Sequence, residues 1–346
     1  MSDPKTAVAF AYVGGGTRAR ISQQFTKLFL NQWGVAQEDF ASRVDLFAGS
    51  SAGGLQALGY AFNQTPDDLD DFILNDSKRI FTTRAVPIGC DAANDSFRPS
   101  FAAKIGLILL NEPFYRSICR PGDGDSNWGD NILKSSMEEI FGTSTMSQLT
   151  NKTLITAYDD EADTPIFFSN IQGYPFTGAN ESIVDVAMCT SAAPVYLPSY
   201  QLNGRRYIDG GIFLNNPVQM AYTALKATNP TANRYVVISI GTGLEPNELE
   251  GNPSTPEDTS IQRLYTLFNK ASFGNQQTAV INMLYEANAT LDQLHYYHFD
   301  VEFPVGFDSE LDQSTPAYFS TLDAITQARF IEDNAAIADI ISRLEA

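Results

Sequence analysis

Two serines stand side by side in the run Gly49-Ser50-Ser51-Ala52-Gly53, directly behind the apolar stretch 44–48. This is a G-x-S-x-G pattern. It suits a sharp strand-to-helix turn, where a strained backbone and close neighbours leave room only for small residues on either side of a central serine. Ser51 holds that centre, at the N-terminus of the helix that follows. There the free N–H groups and the positive dipole end face any oxyanion formed beside it, with the Ala52 N–H placed as one donor. Ser50 is left a packing or capping role. Nearer the start, Gly14, Gly15 and Gly16 follow the apolar stretch 6–12 in YVGGGTRAR. Three successive glycines can turn several backbone N–H groups toward one anion. The loop is not built for a nucleotide, because Ala19 stands where G-x-G-x-x-G requires its third glycine and no Walker lysine follows. An oxyanion is the remaining guest. Arg18 is placed to brace this loop or to touch an anionic head group. The third element is RRYIDGGIFLNNPV, in which a short strand ends at Asp209 ahead of Gly210 and Gly211. A carboxylate held by such a turn can hydrogen-bond a serine and take its proton as general base.

These residues need a scaffold, and the chain supplies one. The runs 6–12, 44–48, 153–158, 166–171 and 234–240 are apolar with little polar alternation, the mark of a largely parallel sheet covered on both faces. After the first run, Ile21, Phe25, Leu28 and Phe29 fall at i, i+4, i+7 and i+8, an amphipathic helix face. A second βα unit follows, with 51–62 as its helix. Between about 75 and 150 the pattern loosens around Gly, Pro, Asn and Asp, which predicts a lid or insertion. Its segment FAAKIGLILLNEPFY reads as a core helix or as the lip of an acyl pocket. Residues 244–260 read as a polar, Pro-rich surface loop. From about 259 to 346 the pattern is mostly helical, with a short aromatic strand in HYYHFDVEF. No internal repeat is present. The expected arrangement is therefore one catalytic domain over 1–346, with a lid and a C-terminal extension.

Composition narrows the partners. Lys plus Arg number 22 against 41 Asp plus Glu, a formal net charge of -19, which argues against a nucleic-acid polymer and against electrostatic docking on anionic lipid. Membrane contact would be apolar and transient. Cys90, Cys119 and Cys189 form no CxxC or metal-like spacing, so neither a disulfide framework nor a zinc site is expected. No His/Asp/Glu cluster calls for a metal, and no cofactor is expected. No apolar run reaches the roughly 18 residues that cross a bilayer, and the N-terminus lacks a basic and apolar leader pattern. The expected location is cytoplasmic.

The GGG loop with its arginine, the G-x-S-x-G elbow, CTSAAPVYLP at 189–198 and DGG followed by NNP, in this order from residue 6 to about 243, resemble the patatin-like phospholipase family. The resemblance implies a three-layer α/β/α sandwich with a mostly parallel central sheet, related to the α/β hydrolases. It also implies Ser51 as nucleophile, Asp209 as its dyad partner, and backbone N–H groups of the Gly14, Gly15, Gly16 and Thr17 loop, with Ala52, as the oxyanion hole. Two positions depart from the family loop: Val13 replaces its aspartate and Ala19 its last glycine. Neither supplies a catalytic side chain. The implied reaction is phospholipase A type cleavage of a phospholipid or lysophospholipid ester through an acyl-enzyme. Activation by a ligand such as a cyclic dinucleotide, or by homo-oligomerisation, is compatible with the length and the C-terminal extension. Three competing readings stand beside it. A Ser-Asp-His triad could draw on His295 or His298. An acyltransferase could share the fold, although its histidine beside the nucleophile is here Ser50. A binding or storage protein could keep the fold without turnover.

Overall fold

The computed structural model describes residues 5–82, 129–173, 175–194, 196–197, 199–244, 260–290 and 293–345. The segment FAAKIGLILLNEPFY, Cys90 and Cys119 lie outside the described residues.

A mostly parallel sheet runs through the middle. Its central path is β5 (Phe176–Thr177), β4 (Thr164–Ser169), β3 (Lys152–Asp159), β2 (Leu46–Ser50), β1 (Thr6–Tyr12), β8 (Arg234–Ile240) and β9 (Leu294–Phe299). The hairpin of β6 (Tyr200–Leu202) and β7 (Arg205–Asp209) joins antiparallel to β3. The first strand shows why the layers form. Val8, Phe10 and Tyr12 pack on one face with aromatic residues of α1 (Ala19–Trp33), while Ala7, Ala9 and Ala11 pack on the other. Side chains alternate along a strand, so one face carries large residues and the other small ones. The small face admits α8 (Val218–Thr228) and α9 (Ser260–Thr290) through Val218, Ala221, Leu225, Ala279 and Met283. The large face carries α1, α2 (Ser51–Ala61), α5 (Gly129–Phe141) and α6 (Ile183–Thr190). The result is the expected α/β/α sandwich.

The apolar run 44–48 reads as the second strand, but pairing extends it to Ser50. Leu46 through Ser50 register with Lys152 through Thr156 of β3, so backbone partners rather than side-chain hydropathy set the strand's end. The same strand brings the two candidate catalytic segments together. On one edge of β3, β2 pairs up to Ser50↔Thr156; on that same edge β7 takes over at Ala157↔Asp209. The opposite edge belongs to β4, which pairs with Leu154 through Asp159. Thus β2 and β7 meet end to end along β3. Ser51 and Asp209 stand at the junction.

Of the expected lid at about 75–150, the structure describes 75–82 and 129–150. Helix α3 (Asp68–Asp71), a π-turn at Phe72–Asp76 and α4 (Ser77–Thr82) run consecutively and pack with α5. Arg20 of α1 pairs with Asp70 and with Asp323 of α10 (Pro316–Glu332), tying α3 and α10 to the sandwich. From the C-terminal stretch, β9 forms the sheet's edge strand and α11 (Asn334–Glu345) buries Ile337 and Ile340 in the core.

Candidate active site

Ser51 is the first residue of α2 and has φ 54°, the left-handed region that a non-glycine residue rarely adopts. Such strain costs about 1–3 kcal/mol and persists only where the surroundings hold it. Here they do. The Ser51 N–H donates to Thr190 Oγ1 at 2.9 Å, and that hydroxyl donates to the Thr156 carbonyl at 2.7 Å. The flanking glycines are equally forced: a Cβ on Gly49 would strike the Gly53 carbonyl, and one on Gly53 would strike the Tyr12 carbonyl. Ser50 is fully buried and packs beneath the turn.

Asp209 is 1% exposed. Its carboxylate accepts the Gly211 N–H at 2.7 Å and stands beside the Ser51 side chain in the same cavity. Burial dominates over the opposing influence of Ser51 and the Gly211 N–H and pushes the carboxyl up from the usual carboxylate range to about 7. An aspartate in this state can hold a proton at neutral pH and still release it. That suits a general base.

The structure narrows the expected oxyanion donors. The Gly14 N–H donates to the Asn215 carbonyl (3.3 Å) and the Thr17 N–H to the Leu311 carbonyl (2.9 Å), so neither is available to an incoming oxygen. Gly15 and Gly16 carry no backbone acceptor on their N–H groups among the described residues, and Ala52 lies in the first turn of α2. These three remain. Arg18 lies with its guanidinium carbon 5.8 Å from the centre of the Phe303 ring, and its Nε is buried without a hydrogen-bond partner among the described residues.

All of these groups open into one cavity of ≈ 330 Å³. Ser51, Asp209, the glycine loop and Arg18 share it with an apolar wall that includes Leu55, Leu69, Phe72, Ile73, Ile80, Leu133, Met137 and Phe141. The π-turn sets Phe72 and Ile73 into that wall. Sites of this size, apolar with a few convergent polar groups, are typical of small-molecule pockets.

Neither histidine joins the site. His298 Nδ1 is 2.6 Å from Ser239 Oγ, and His298 pairs with Ser239 across β8 and β9, three strand spacings from β2, or roughly 14 Å. Burial pushes it down to about 4, so it is neutral. His295 Nε2 lies 3.2 Å from Arg343. Cys189 is buried, and the same desolvation holds its thiol protonated. Among the described residues no group of three His, Cys, Asp or Glu could hold a metal ion.

Sequence reasoning missed several residues that shape the site. Thr190 holds the Ser51 backbone. Ser272 Oγ and Asn275 Nδ2 both donate to the Gly211 carbonyl, and Asn275 Oδ1 accepts the Asn215 N–H, so α9 braces α7 (Gly211–Leu214), the short helix after Asp209. Thr190 and Asn215 lie in CTSAAP and NNP, motifs whose letters alone assign neither residue a role. Nothing local marks Leu311, whose partner Thr17 is 294 residues away.

Comparisons with known proteins find similar chains. The chain is 25% identical over 242 residues to "Patatin-like protein 4" of Arabidopsis thaliana, covering 59% of this chain and 56% of that one. It is 29% identical over 177 residues to "cGAMP-activated phospholipase" of Escherichia coli (strain TW11681), covering 50% and 42%. It therefore spans about half the length of these curated relatives. Superposition on human GIVD cytosolic phospholipase A2 in complex with methyl gamma-linolenyl fluorophosphonate gives a TM-score of 0.45 at 12% identity, covering 98% of this chain and 59% of that one. The model of patatin-like phospholipases matches residues 13–222, which hold the glycine loop, the elbow, the DGG turn and most of the sheet. With well over half of its length so matched, this chain belongs to the patatin-like phospholipase family.

Proposed function

We propose that the protein is a serine lipid acyl hydrolase that cleaves fatty-acyl esters of phospholipids or lysophospholipids through a Ser51–Asp209 dyad. The observation that carries this reading is that Ser51, at a strained elbow, and the buried Asp209 carboxylate line one apolar-walled cavity. Asp209 takes the hydroxyl proton as Ser51 Oγ bonds to the ester carbonyl carbon. The oxygen of that carbonyl takes up the negative charge and receives the N–H groups of Gly15, Gly16 and Ala52. Collapse expels the alcohol, which leaves with the proton returned by Asp209. Water then attacks the acyl-enzyme with Asp209 again as base, and a fatty acid leaves. The acyl chain lies along the wall of Leu69, Phe72, Ile73 and Met137. Arg18 faces the head group.

The test is fatty-acid release from a phospholipid panel by wild type, Ser51→Ala and Asp209→Asn, each checked for folding. Release by either variant at the wild-type rate would sink the dyad. No helix among the described residues is long and apolar enough to cross a membrane; membrane contact in this scheme is transient. Similarity to cGAMP-activated phospholipases motivates a further arm, in which cyclic dinucleotides are added and rate and oligomeric state are followed. Unchanged rate and state would remove the activator from the scheme.

Two predictions arise here. Hydrolysis should rise through a single ionisation near pH 7 and level off above it, because Asp209 accepts a proton only when ionised. A rate independent of pH from 5 to 9 would contradict that assignment. Ile140→Trp, which adds bulk to the cavity wall, should cut kcat/KM for long-chain esters by about 10-fold while sparing butyryl esters. Equal loss across chain lengths would place the acyl chain elsewhere.

A further inference from the structure

The glycine loop can act on an oxyanion only if its peptide planes are turned correctly, and the structure holds one of them from behind. The Gly14 carbonyl accepts Asn215 Nδ2 at 3.1 Å and Thr242 Oγ1 at 3.1 Å. In a trans peptide the carbonyl of one residue and the N–H of the next point in opposite directions. Fixing the Gly14 carbonyl toward Asn215 and Thr242 therefore fixes the Gly15 N–H away from them. Thr242 also lies flat against Gly15, so close that a Cβ there would collide with its hydroxyl, Cβ and methyl atoms. Glycine at 15 is thus required by the residue that holds the loop.

Both anchors are themselves held. Thr242 is 2% exposed, lies just past the end of β8, and sits between Gly241, whose N–H donates to the Phe299 carbonyl, and Gly243, whose N–H donates to Asp300 Oδ1. Asn215 is 8% exposed and its N–H donates to Asn275 of α9. Two elements that share no local sequence with the loop thus converge on one carbonyl oxygen. Thr242 does not line the cavity, so it cannot act by touching substrate.

We infer that Thr242 and Asn215 are positioning residues: by gripping the Gly14 carbonyl from two sides they aim the Gly15 N–H at the oxygen of the ester carbonyl attacked by Ser51. The inference rests on the reaction proposed above. Its signature is a loss in the transition state without loss of ground-state binding, because the substrate's own contacts lie elsewhere.

The experiment compares Thr242→Val, which keeps shape and removes the donor, with Thr242→Ser, which keeps the donor. The readouts are kcat and KM on a soluble aryl ester and the inhibition constant of a fatty trifluoromethyl ketone, whose hemiketal oxygen would occupy the oxyanion hole. Thr242→Val should lower kcat by roughly 10- to 100-fold at little-changed KM and weaken the ketone by a similar factor. Thr242→Ser should restore both to within about threefold. Asn215→Leu should act in the same direction, but the threonine pair carries the test because the remaining Asn215 bond keeps the Gly14 carbonyl satisfied and the loop folded. Wild-type kcat and ketone affinity in Thr242→Val, beside an inactive Ser51→Ala, would overturn the inference and leave the dyad standing. Turnover surviving in Ser51→Ala would overturn the dyad, and the inference with it.

Discussion

Replacing Asp209 with asparagine is expected to abolish hydrolysis and, above neutral pH, to make the protein more stable. The two effects share one cause. Burial raises the carboxyl to about 7 against an ordinary value of 3.8, so the folded state favours the protonated form. A group whose folded value lies above its unfolded value adds stability that is complete below the unfolded value and is lost as pH rises through the folded one. Between about pH 4 and 7 the fold therefore loses on the order of 4 kcal/mol at this residue. Asparagine cannot ionise and escapes that loss. It can still accept the Gly211 N–H through its amide oxygen, so the turn after β7 keeps its bond. Denaturant unfolding of wild type and Asp209→Asn should give similar stabilities near pH 4 and a more stable variant near pH 8. Turnover should fall by roughly 10³- to 10⁴-fold, the usual cost of removing the base of a serine hydrolase. Equal stability at pH 8 would mean that Asp209 is not held above the carboxylate range. Retained turnover would mean that it is not the base.

Ser51 offers the second large effect, and two substitutions separate its chemistry from its backbone. Ser51→Ala and Ser51→Gly both remove the nucleophile, and both should lose turnover by about 10⁴-fold or more. Their stabilities should differ. Alanine must adopt the same φ of 54°, whereas glycine reaches it without a steric penalty, so the glycine variant should be the more stable by about 1 kcal/mol. Denaturant midpoints at matched m-values would show it. An alanine variant at least as stable as the glycine variant would show that the elbow is not strained at this residue.

The parts of the site that were legible in the sequence are the parts written locally. The G-x-S-x-G run, the glycine loop and the DGG turn each carry their geometry in five or six neighbouring residues, because small side chains are what a tight turn permits. The sheet was legible through its double-faced apolar strands, although β2 ends two residues later than its hydropathy suggests, since pairing with β3 carries it to Ser50. The loop's hydrogen bonding was not legible. Gly14 and Thr17 look as available as Gly15 and Gly16 in a string of letters, and their N–H groups prove committed to Asn215 and Leu311 by contacts that exist only in three dimensions. The same holds for Thr190, 139 residues from the serine whose backbone it fixes. His298 misled in the opposite sense: it follows serine and aspartate in the order of a triad, yet lies buried against Ser239 on the far side of the sheet.

The end-to-end meeting of β2 and β7 along β3 also orders events during synthesis. On the proposed dyad, Ser51 can take its place in the elbow once β1, β2, α2 and β3 have left the ribosome, but the strand that delivers its base does not yet exist. For the whole interval between residues 51 and 209 the growing chain carries a nucleophile with nothing to take its proton. Only when 207–209 register with 157–159 does the serine acquire its partner. With the proposed dyad, the chain gains its hydrolytic pair only when most of its sheet is complete.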